Sequence, residues 1–131
     1  MANALYDAGR EAFLSGDISW DVDTIKAVLT RDAPVLATDN FLDDVATIVS
    51  TSGTFTNPTV VAGVADADNI TFTAVPAGAA INYVVIYKDT GTPATSALIA
   101  AIDTATNLPV TPNGGDITVE WDSGANKIFK L

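Results

Sequence analysis

From residue 50 onward this chain is a succession of short apolar and threonine-rich segments separated by turn chemistry, and that rhythm restricts its fold more than any other feature. Candidate strands occupy residues 55–56, 59–64, 69–75, 82–88, 98–103, 116–121 and 127–130. Ile70, Phe72 and Ala74 alternate with Thr71, Thr73 and Val75, and Ile117, Val119 and Trp121 alternate with Thr118 and Glu120. Such alternation predicts strands with one buried and one wet face. Residues 83–87 are apolar throughout, which predicts a central strand covered on both sides. The separators carry turn formers: Asp66-Ala-Asp-Asn, Pro76-Ala-Gly, Asp89-Thr-Gly, Pro112-Asn-Gly-Gly and Asp122-Ser-Gly. The expected fold is mainly β, a single antiparallel β-sandwich or jelly roll with a short N-terminal helix. Strand spacing does not reveal strand order, so both connectivities stay open. A parallel sheet would need crossover helices that the sequence does not contain.

The chain reads as one domain over residues 1–131, with a helix over about 4–14 and a β-rich body over about 20–131. Leu5, Ala8, Gly9, Ala12 and Phe13 fall on one stripe at helical spacing. Asn3 is a candidate N-cap and Gly16 a stop. Ile25, Ala27 and Leu29 alternate with Thr24, Lys26, Val28 and Thr30, predicting a strand whose Lys26 faces out; Pro34 breaks the run. A second short helix is expected around residues 40–45, with Asp39 as cap and Leu42, Val45, Ala46 and Val49 on one face.

Composition narrows the function classes. There is no histidine and no cysteine, which removes the commonest general base, thiolate nucleophiles, disulfides and thiolate zinc sites. The net charge is −10, and the basic residues Arg10, Lys26, Arg31, Lys88, Lys127 and Lys130 form no run that could track a phosphate backbone. The expectation is no direct contact with nucleic acid or membrane; the charge suits docking onto a basic protein surface. No apolar stretch approaches the roughly 20 residues of a membrane span, and the N-terminus lacks the basic and apolar regions of a signal peptide, so synthesis and assembly in the cytosol are expected.

Several residue groups invite a chemical reading, each beside a plainer one. Asp66, Asp68 and Asn69 offer oxygen ligands of the kind calcium prefers, without the spacing of an EF-hand loop; Asp and Asn are also ordinary turn formers. Whether they bind a cation is open. Asp17, Asp21 and Asp23 flank Trp20, and Asp39, Asp43 and Asp44 surround Phe41. Paired carboxylates beside an aromatic can hydrolyse glycosides, with Asp21 and Asp43 the residues to test, but capping and turn closure account for the same aspartates. Ser15, Ser19, Ser50, Ser52, Ser96 and Ser123 have no histidine base and no Ser-x-x-Lys spacing. Pro112-Asn-Gly-Gly lacks the Gly-Lys-Ser/Thr ending of a phosphate loop. Trp20 and Trp121 read as core or interface anchors. The chain is therefore expected to be non-enzymatic, with no cofactor and no metal.

The run Ala4-Leu-Tyr-Asp-Ala-Gly-Arg-Glu-Ala-Phe-Leu-Ser-Gly-Asp-Ile-Ser-Trp, followed by Thr24-Ile-Lys-Ala-Val-Leu, resembles small structural proteins of tailed-bacteriophage and prophage virions. So do Val84-Val-Ile-Tyr-Lys-Asp-Thr-Gly, Ile102-Asp-Thr-Ala-Thr and Pro109-Val-Thr-Pro-Asn-Gly-Gly-Asp-Ile-Thr-Val-Glu-Trp-Asp. The resemblance spans essentially the whole chain. It implies a virion component, most of all a capsid decoration (cement) protein, localised in the phage particle and assembled in the host cytoplasm. Its partner would be the major capsid protein or another virion protein, and the chain itself a dimer or trimer. Leu5, Tyr6, Phe13 and Trp20 are the candidate interface anchors. The alternative is a tail or tail-fibre adaptor or a glycan-binding module, in which Trp20 or Tyr83 would be the exposed aromatic.

Overall fold

The computed structural model describes residues 4–105, 108–125 and 127–131. Ten short strands, one α-helix and two single 3-10 turns make up the described elements. Strands β1 (Ala4–Leu5), β2 (Ile25–Thr30), β3 (Ile48–Thr51), β7 (Tyr83–Lys88) and β8 (Leu98–Ile102) form one sheet in the order β1-β8-β7-β2-β3. Strands β4 (Thr59–Val61), β5 (Val64–Asp66) and β10 (Phe129–Lys130) form a second, and β6 (Ile70–Phe72) with β9 (Ile117–Val119) a third. Every pairing in these sheets is antiparallel. The fold is mainly β with one short N-terminal helix.

The five-stranded sheet is buried on both faces. Ile25, Ala27 and Leu29 of β2 and Val84 and Ile86 of β7 belong to one core cluster, which also takes Ala65, Ile70, Phe72, Ile117, Val119 and Phe129 from the two small sheets. Val28, Val85, Tyr87, Leu98 and Ala101 point the other way and form a second cluster with Tyr6 and Leu42. This period-two partition is what a pleated strand imposes. It also explains why β7 carries no polar position between its ends. Lys26 lies at the edge of this arrangement, half-buried and paired with Asp89 at 2.7 Å.

The pairing of β7 with β8 is interrupted where Ile86 faces Ala100 and Tyr87 faces Leu98, leaving Ile99 as an extra residue. The Tyr6 N–H donates to the carbonyl oxygen of Ile99 (3.0 Å), so this bulge receives the chain as it leaves β1. Helix α1 (Asp7–Ser15) then lies directly on β8. Gly9 allows this: a Cβ there would stand 2.8 Å from the carbonyl oxygens of both Leu98 and Ile99. The helix ends at Gly16, with φ of 83°, and the Asp17 N–H closes onto the Ala12 carbonyl at 2.8 Å.

Several expectations are corrected. The helix does not begin at residue 4, because Ala4 and Leu5 pair with Ala101 and Ala100 as a strand; the expected cap Asn3 lies outside the described residues. The second helix is only a 3-10 turn, Leu42–Asp44, and Asp39 does not cap it. Instead the Asp44 carboxylate reaches back to the N–H groups of Asn40 and Phe41. Val49 belongs to β3, not to that turn. Residues 59–64 are not one strand but a hairpin, reversed at Ala62 and Gly63, whose φ angles are 52° and 78°. Phe55 is in no strand, although its N–H donates to Ile25 and its ring is in the core. Three of the five expected turns share one device. Asp89, Asn113 and Asp122 each accept, through a side-chain oxygen, the N–H two residues on, from Gly91, Gly115 and Gly124.

Candidate functional site

The expected anchors do not form an exposed patch. Leu5, Tyr6 and Trp20 are 6%, 0% and 3% exposed, so the chain's own core uses the surface they would offer a partner. Leu5 and Tyr6 are drawn inward because β1 joins the sheet edge. Phe13 is half-buried on α1, against Phe129 at 5.9 Å between ring centres. Trp20 crosses Phe129 edge-on at 5.2 Å and Phe55 at 5.9 Å, and Phe55 touches Trp121 at 5.6 Å. The two tryptophans, near opposite ends of the sequence, thus belong to one aromatic chain.

The acidic turn is what holds them. The Trp20 indole N–H donates to the carbonyl of Asp66 (3.0 Å) and the Trp121 indole N–H to the carbonyl of Asp68 (3.1 Å). The Trp121 backbone N–H donates to Asn69 Oδ1. The Asp68 carboxylate accepts from Thr56 Oγ1 (3.1 Å) and Asn57 Nδ2 (2.6 Å). Asp68 and Asn69 therefore spend side-chain oxygens on this brace. Among the described residues, no three His, Cys, Asp or Glu side chains converge to hold a metal ion. Trp20 cannot serve as an exposed stacking face for a sugar; Tyr83 is half-buried.

Asp43 lies exposed in the 3-10 turn, and several other carboxylates face local donors. Asp23 accepts the Ser19 N–H (2.7 Å) and lies 3.3 Å from Lys88 Nζ, which also donates to the Asp17 carbonyl. Asp21 accepts from Ser19 Oγ, and Asp39 from the Val35 N–H. The N–H groups of Asn40 and Phe41 hold the Asp44 carboxyl below its usual range. The hydrogen bond from Lys26, followed by that from the Gly91 N–H, does the same for Asp89. Burial, with Asp89 nearby, pushes the Tyr87 phenol up to about 12. Ser52 and Ser96 are buried and bonded to backbone, Ser52 to Gly53 and Ala27 and Ser96 to Thr92 and Thr90.

Exposed apolar side chains include Leu14, Val22 and Val35, and others gather at one groove. A groove of about 330 Å³ between the helix and the second sheet is lined by Phe13, Trp20, Val60, Ala65, Phe129 and Leu131. Its rim includes the free edge of that sheet, where Val60 and Val61 are 54% and 70% exposed, and Leu131 at 59%. Sequence reasoning missed this edge because it read 59–64 as a single strand; the adjacent valines and the Ala-Gly pair were the available clue. Compared with protein-family models and with curated proteins, the chain matches none.

Proposed function

We propose that this chain is a non-enzymatic structural protein of a bacteriophage virion that decorates the capsid and cements its mature lattice by protein–protein contacts. The observation that carries the reading is the bare edge of β4 beside the apolar groove. Free edges of sheets are ordinarily blunted by charge, a bulge or a cover. Residues 57–64 contain no charged side chain, and all three residues of β4 are exposed. An apolar edge on a chain of net charge −10 supports a role in docking, with acidity elsewhere selecting a basic surface. The virion as the place of docking rests on the sequence resemblance.

The mechanism is one of linkage. A protein that binds across a junction between capsid subunits, and only in the expanded lattice, stabilises that lattice by mass action. Repetition over a symmetric shell makes weak single contacts effective. Immunogold labelling of purified phage particles with an antibody to this chain tests the reading. Label distributed over heads supports capsid decoration, label on tails replaces it with the adaptor alternative, and unlabelled particles overturn both.

A further inference from the structure

The register of the β4–β5 hairpin decides which backbone groups its open edge presents. The loop is the pair Ala62-Gly63, both with positive φ, so Val61 and Val64 close it as a hydrogen-bonded pair. Alternation then bonds Thr59 to Asp66 and leaves Val60, opposite Ala65, between the two. The far side of β5 agrees, since the carbonyls of Gly63 and Ala65 accept from the N–H groups of Leu131 and Ile128. Val60 therefore turns both its N–H and its C=O outward, flanked by the C=O of Pro58 and the N–H of Ala62. Among the described residues, no strand covers that side, and none of the loop or turn bonds engages these groups.

That pattern is its own complement. Turned about a two-fold axis through Val60, a second β4 runs antiparallel to the first, and the N–H and C=O of Val60 meet the same two groups of the other copy. Pro58 falls opposite Ala62 of the second copy, so a residue that can only accept faces one whose N–H needs an acceptor. Every outward group is then used. Sliding the copies so that Val60 meets Pro58 would cost Val60 its donor, so the proline also holds the register. Charge points the same way. Residues 57–64 carry none, so two chains of net charge −10 bring no like charges into this ladder. A basic partner strand would find no carboxylate on β4 to recognise. Of the residues lining the adjoining groove only Asp21 is charged, and it accepts from Ser19 Oγ. Val60 lines that groove, so the pairing sets the grooves of the two copies side by side across the axis.

We infer that the occupant of the β4 edge is a second copy of this chain, paired antiparallel through Val60, so that two three-stranded sheets become one in the order β10-β5-β4-β4-β5-β10. The inference rests on the docking role given to this edge above and names what docks there. So short a ladder falls below the roughly 1,200 Å² of a standard interface, and the dimer therefore dissociates on dilution.

The register supplies the test. Thr59 lies opposite Val61 of the second copy at a non-hydrogen-bonded position, where Cα atoms stand about 4.5 Å apart, within the span of a disulfide. The chain has no cysteine, so Thr59→Cys and Val61→Cys each carry a single thiol. The two full-length variants, one of them ¹⁵N-labelled, are mixed in a glutathione redox buffer and the products weighed by mass spectrometry. The mixed disulfide is expected to exceed the two self-disulfides together at least fivefold. Random collision gives mixed and self products in equal amount, and that result, or no disulfide dimer, overturns the proposal. Sedimentation equilibrium of the cysteine-free parent should show the mass of two chains falling to that of one on dilution. Val60→Pro removes an N–H that β5 does not use and is expected to weaken dimerisation at least tenfold. Val60→Lys sets like charges face to face on the axis and does the same, which serves if the proline disturbs the hairpin. Unchanged dimerisation in both variants overturns the proposal. No readout here uses the particle: a chain that labels phage heads yet stays monomeric at every concentration loses this pairing and keeps the virion reading.

Discussion

Trp20 shows how one side chain can set both packing and polarity. Its ring spans Phe129 and Phe55, while its N–H satisfies the Asp66 carbonyl. Trp20→Phe shrinks the ring and leaves that carbonyl without its donor, and both effects act in a buried setting. The expected loss is about 2–4 kcal/mol of unfolding free energy, read from urea denaturation. Asp89 makes the opposite kind of contribution, at the surface and dependent on pH. Its carboxyl is held below the ordinary aspartate range by Lys26 and the Gly91 N–H. A carboxyl with a depressed folded-state pKa stabilises above its unfolded value, and that stabilisation is lost as pH falls through the folded value. Asp89→Asn should therefore lower the melting temperature slightly at neutral pH. The gap between variant and parent should close as pH falls below 3.8, and a gap independent of pH would refute the assignment.

Two positions of very different tightness shape the secondary structure. Gly9 sits where α1 touches β8, with backbone oxygens 2.8 Å from any added Cβ. Gly9→Ala must lift the helix off the strand, at a cost of about 1–3 kcal/mol by the usual penalty for overpacking. Ala62, by contrast, adopts a left-handed φ of 52° with its side chain exposed. Ala62→Asn places the preferred Asn-Gly pair in the hairpin and should stabilise by about 0.5–1 kcal/mol, visible as a higher melting temperature. These positions also mark how far the sequence could be read. The central strands were legible because apolar runs such as Val84-Val-Ile persist on both faces, and Gly16 announced the helix end by its conformational freedom. The Ala62 reversal was illegible, since alanine is a poor turn former and its neighbours are all apolar. Strand β3 was hidden because Ile48-Val-Ser-Thr also fits the tail of a helix. The burial of Tyr6 and Trp20 was illegible for a related reason. Tyr6 and Trp20 are amphipathic side chains that suit an interface or a core equally, and only the pairing of Leu5 with Ala100 and of Trp20 with Asp66 decides between them.

The assembled chain has a core on each side of one central sheet, and strand β7 contributes to both. Ordering one face therefore orders the backbone that supports the other. Single apolar side chains such as Leu14, Val22 and Val35 are exposed elsewhere, but the β4 edge pairs two exposed valines with unpaired backbone, so self-association should depend on that edge. Light scattering of the purified protein is expected to give two or three times 13.5 kDa. Val61→Lys places a charge on the exposed edge without touching the core and should return the mass to that of the monomer with melting unchanged. A parent that is already monomeric would remove the edge as a self-association surface.

The pairing of both indoles with a single turn has a spectroscopic consequence. Trp20 and Trp121 are the only tryptophans in the chain, and Phe55 bridges them. Intrinsic emission is therefore a local reporter of the junction between the large sheet and the hairpins. It is silent about the opposite face, where Tyr6 and Leu42 are packed. Leu42→Ala should leave the emission maximum where it was, and any red shift would mean that the two faces communicate through the sheet.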